Sequence, residues 1–60
     1  MKLETLALNA MREALANGGD DAALLAAGRK AAERAGVAGI AADVLAKRVF
    51  DNYFAVKEAN

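Results

Sequence analysis

Any acid–base chemistry in this chain must rest on its carboxylates, because its sixty residues include no His, Cys, Ser, Pro, Gln or Trp. Without His, no side chain titrates near neutrality unperturbed, and without Cys or Ser the commonest covalent nucleophiles are missing. The densest acidic cluster is the adjacent pair Asp20 and Asp21. A general acid–base site needs carboxylates that converge across a cleft, whereas neighbours on a helix diverge. The pair therefore reads as a helix cap. The loop Asn17-Gly18-Gly19-Asp20-Asp21 offers oxygen ligands, yet it lacks the alternating spacing and distal Glu of a calcium loop. Its two glycines precede a helix, as in anion cradles, but no Lys or Thr follows them and the two aspartates repel phosphate. These residues predict a non-enzymatic chain with no metal and no cofactor.

Two other groups of residues could make a binding surface. Arg29, Lys30 and Arg34, with Lys47 and Arg48, could contact nucleic-acid phosphates. The competing reading is a solvated face in which Glu33, Asp43 and Asp51 are interspersed, and we weigh it above DNA contact. Eight basic residues balance eight acidic ones, so the net charge is zero and nothing advertises a polyanion partner. Phe50, Tyr53, Phe54 and Val56, together with Val49, crowd the C-terminal part of the chain at helical spacing. Aromatic residues serve as interface anchors, and Tyr keeps its hydroxyl wet while burying its ring. Equally, these side chains could complete the core of one molecule. Leu8 is a weaker candidate for the same surface.

The elements that must position these residues are helices. Leu3, Leu6, Ala7, Ala10, Met11, Ala14 and Leu15 follow the spacing of one helical face, which predicts a first helix over about 3–16. Asn17, Gly18 and Gly19 stop it. A second helix is expected over about 21–35, acidic at its start and basic toward its end, as the helix dipole favours. Gly36 followed by Val37 matches a stop in which the apolar residue folds back onto the last turn. Gly28 lies within this helix at a propensity cost of about 1 kcal/mol. With Leu24, Ala31, Ala32 and Ala35 it makes a low-relief surface suited to close helix packing. A third helix is expected over about 39–57. Ile40 and Val44 lie nearly opposite Val49 and Tyr53 on it, because each residue advances the helix by about 100°. One face cannot bury them all, so the helix either bends near Lys47 and Arg48 or contacts a second copy, and the absence of Pro favours the second copy. The alternative architecture fuses the second and third helices into one arm, since the stretch from Gly36 to Gly39 lacks a polar N-cap.

Sixty residues make one small domain, which buries only about 60% of the surface its unfolded chain exposes. Hydrophobic residues are 57% of the chain, but half of them are alanine, leaving seventeen larger ones to build a core. Disulfides and zinc sites are unavailable to reinforce it. Self-association is the remaining support. Uncharged runs such as Val37 to Ala42 are far shorter than the roughly 20 apolar residues of a membrane span, and no basic-then-apolar leader is visible. A cytoplasmic, soluble protein is the expectation.

Leu24 to Gly39, LLAAGRKAAERAGVAG, resembles the opening helix of the DNA-binding domain in tetracycline-repressor-type regulators, and Asn52 to Ala59, NYFAVKEA, resembles the segment that closes their helix-turn-helix. The resemblance covers under half of the chain. Between the two pieces the family carries a helix, a glycine-containing turn and a recognition helix, whereas IAADVLAKRVFD is about five residues too short and has no glycine turn. Lys57 alone matches a family position, the phosphate-side lysine, and the base-reading residues have no counterparts. The six absent amino-acid types also suit a designed or reduced-alphabet helical protein without natural function, as well as a GC-rich bacterial or phage gene. The leading expectation is an all-α, small three-helix bundle, homodimeric or docked on a protein partner through Val49, Phe50, Tyr53, Phe54 and Val56. A small DNA-binding regulator is the alternative.

Overall fold

The computed structural model describes residues 2–55, which form three α-helices: α1 Leu3–Ala16, α2 Asp21–Arg34 and α3 Gly39–Tyr53. Each helix packs against both others, giving an all-α three-helix bundle. The middle helix is the best specified locally. The Asp20 side chain accepts a hydrogen bond from the Ala23 amide at 2.9 Å, while Asp21 in the first turn and Arg34 in the last both suit the dipole. Neither Lys2 before α1 nor Ala38 before α3 offers a side-chain cap. Those two helices depend more on tertiary packing than on local signals.

Two glycine stops separate the helices. After α1, the Gly18 amide donates to the Leu15 carbonyl and the Gly19 amide to the Ala14 carbonyl, both at 2.9 Å, with Gly18 at φ +85°. After α2, the Gly36 amide donates to the Glu33 carbonyl at 2.9 Å and the Val37 amide to the Ala32 carbonyl at 3.0 Å, with Gly36 at φ +99°. Both are Schellman stops, which need a left-handed residue at the position glycine occupies. The second stop rules out the fused arm: α2 ends at Arg34, Ala35 is its C-cap, and α3 begins afresh at Gly39.

The core is built from small contacts. Ala7 and Met11 of α1, Leu24 of α2, and Ala46 and Val49 of α3 form the buried cluster, and Leu8, Ala14, Leu45, Phe50 and Phe54 pack against it. Gly28 is buried at the meeting point of the three helices. A β-carbon there would overlap the terminal methyl of Met11 and lie 3.4 Å from the Ala46 β-carbon. The low-relief surface expected around Gly28 is thus where α1 and α3 approach α2, with Leu24 and Ala32 buried above and below it.

Helix α3 runs unbroken from Gly39 to Tyr53, with no interruption at Lys47 or Arg48. It is shorter than expected: Phe54 is its C-cap, with the Phe54 and Ala55 amides both donating to the Phe50 carbonyl. Val56 and Lys57 lie outside the described residues.

Overpacking of this kind costs about 1–3 kcal/mol, so Gly28→Val is expected to lose stability on that scale in urea unfolding followed by helical circular dichroism. A variant as stable as the parent would contradict the close approach. Around the second turn, Gly36→Ala should destabilise by about 1–2 kcal/mol because of its positive φ. Gly39→Ala, which meets open space, should stabilise by about 0.5 kcal/mol. Equal effects in thermal melts would contradict this account of the turn.

Candidate functional site

The residues singled out for chemistry are engaged in ending and starting helices. Asp20 is the N-cap of α2, and the amides of Gly18 and Gly19 already donate to carbonyls of α1, so they do not point into an anion cradle. Among the described residues, no cluster of three or more carboxylates is placed to share a metal ion, and no polar or charged side chain is buried. The carboxylates of the described residues thus lie at the surface.

The five basic residues are divided among three grooves. Lys30 and Arg34 line the groove between α1 and α2, which Glu13 also lines. Arg29 lies between α2 and α3, 3.8 Å from Asp43. Lys47 and Arg48 lie on α3, where Lys47 meets Asp51 at 3.3 Å and Arg48 reaches back to Glu4 of α1 at 3.9 Å. Among the described residues, three of the five basic side chains thus have a carboxylate oxygen within 4 Å.

The aromatic surface needs correction. Val49 is 1% exposed and belongs to the core rather than to the surface. Phe50 and Phe54 are half-buried against that core, their rings stacked with centroids 6.2 Å apart. Both were candidates because helical spacing alone does not tell an anchor from a core residue, and here the inward-facing arc of α3 takes them. Among the described candidates, Tyr53 is the exposed one, at 63%. Leu8 also turns inward and packs against the core.

What lies open instead is the opposite side of α3. Ile40 is 84% exposed and Val44 55%, one helical turn apart and facing away from Ala42, Ala46 and Val49, all of which are buried. Beside them, Leu3, Val37, Ala41, Val44, Leu45 and Arg48 line a shallow groove of about 460 Å³ between the start of α1 and the first turns of α3. Asp43, Lys47, Arg48 and Asp51 border the strip with both signs of charge.

No family model, curated protein or solved structure matches this chain.

The neighbouring groups around this strip, rather than a remote relative, must then be read for function. No described helix is long and apolar enough to cross a membrane. The face is therefore not part of a membrane-spanning helix among the described residues. Sequence reasoning placed Ile40 and Val44 opposite Val49 but left them out of the candidate surface. The signal was the 100° step itself, which puts those two side chains outward once Val49 is inside.

The charged border should add little to folding. Exposed ion pairs contribute about 0–1 kcal/mol, so Arg29→Ala, Lys47→Ala and Arg48→Ala are each expected to shift the unfolding free energy by no more than that in chemical denaturation. A loss of several kcal/mol from any of them would contradict a solvated border.

Proposed function

We propose that this protein is a non-enzymatic interaction module that binds protein through the outward face of α3. The observation carrying this reading is the exposure of Ile40 and Val44 on the side of the helix opposite the buried Ala42, Ala46 and Val49. Single exposed leucines or valines are ordinary on a protein surface. A contiguous apolar strip beside a groove and rimmed by charge is the usual pattern of a docking surface. Here Leu3, Val37, Ala41 and Leu45 extend the strip across to α1.

The groove supplies shape, the apolar strip supplies the gain from excluding water, and the mixed charges around it set orientation more than affinity. Nothing in the fold depends on a disulfide, which agrees with action in the reducing cytoplasm.

The double variant Ile40→Asp with Val44→Asp tests this function. Because both side chains are exposed, the helical signal should be kept, and the melting temperature should stay close to the parent's in dilute solution, where association adds nothing. Association, whether with itself or with a purified binding protein, should be lost in sedimentation or light scattering. Association unchanged in a folded double variant would assign binding to another surface.

A further inference from the structure

We infer that the occupant of this face is a second copy of the chain, docked antiparallel on α3 with a two-fold axis beside Val44. This inference rests on the interaction reading above and specifies its partner. Two arguments select the arrangement: the charge pattern of α3, and the small core that a second copy would reinforce.

The charge pattern fits itself in one orientation. Along the outward stripe of α3 the order is Ile40, Val44, Lys47, Asp51, with Asp43 flanking it on the Lys47 side. In a parallel pair, Asp51 of one copy would face Asp51 of the other, and like charges in direct opposition weaken association. An antiparallel pair centred on Val44 sets Val44 against its own counterpart. Asp43 then lies on the same side of the seam as the other copy's Lys47, offset by about 3 Å along the axis at 1.5 Å per residue. The two-fold makes this pair twice. The aliphatic stems of Lys47 and Arg48 cover Ile40 and Ala41 of the opposite copy while their charged ends stay wet. Asp51 comes beside the start of the other α3, where Ala38 provides no side-chain cap and the first turn carries no acidic residue. The ion pairs these residues make within one copy, at 3.3–3.9 Å and on exposed side chains, are weak enough to exchange. Zero net charge removes overall repulsion between copies.

The core supplies the motive. Among the described residues, four of the seven buried hydrophobic ones are alanine, and Met11 and Val49 are the largest fully buried side chains. A chain of this size without a disulfide or metal gains most from another copy. The face is modest in extent. A 15-residue helix is roughly 22 Å long, whereas a standard interface takes about 800 Å² from each partner, close to a fifth of this chain's 4091 Å² surface. The dimer therefore belongs to the small, reversible class and dissociates on dilution.

Two single charge reversals test the arrangement. Asp43→Lys sets Lys against Lys47 of the other copy, and Lys47→Glu sets Glu against Asp43. Each variant, shown by circular dichroism to be folded, should dimerise about tenfold or more weaker than the parent in sedimentation equilibrium. An equal mixture of the two should recover dimer as a heterodimer, since every cross-pair is then opposite in sign. Undiminished dimers of Asp43→Lys, or no recovery on mixing, would overturn the antiparallel pairing. A parent chain that stays monomeric to millimolar concentration would overturn the second copy and leave the face to a different protein. A parent dimer that persists in the Ile40→Asp, Val44→Asp variant would remove the interaction face as well.

Discussion

The close approach of three helices at Gly28 is the constraint on which the rest of the bundle depends. With the terminal methyl of Met11 filling the space a side chain would take, and the Ala46 β-carbon against the same position, α1 and α3 both press onto the backbone of α2. Helices with small residues at their contact come closer than helices separated by leucines, and dispersion contacts rise as the gap closes. A chain with this much alanine gains most of its cohesion in that way, since each methyl removes little area from water. The propensity penalty of a mid-helix glycine is about 1 kcal/mol, and it is offset where the packing of two other helices would be lost without it.

That geometry also decides which way α3 faces. Once Ala46 must touch Gly28, the 100° step turns Ala42 and Val49 inward with it and sends Ile40 and Val44 outward. The apolar strip is therefore a consequence of the core contact, and it lies exposed on an unbroken helix. The same rotation places Asp43, Lys47 and Asp51 around the strip, so the charged and apolar features of the outer face have one structural cause. The proposed interaction face and the folding contacts lie on opposite sides of the same helix.

Much of the backbone plan is legible in the sequence. Asp20, Gly36 and Val37 act through neighbours within a few residues, so their capping roles follow from local chemistry alone. The three-helix architecture followed from periodicity and those stops. The side-chain assignments on α3 were less legible. Val49, Phe50 and Phe54 have the same spacing whether they line a core or an interface, and only the position of α1 and α2 decides. Leu8 turned inward for the same reason: a stripe counted along one helix does not report how wide the arc covered by two neighbours is. The early end of α3 at Tyr53 was also hidden, because no glycine or proline marks it.

In the proposed dimer, the outward face of α3 supplies stabilisation that the small core lacks, by taking up a second copy. The most direct measurement is the melting temperature followed by helical circular dichroism from micromolar to millimolar chain concentration. Binding that favours the native state raises the midpoint with concentration, so the account predicts a rising melting temperature for the parent chain. A midpoint that stays constant over that range would contradict it.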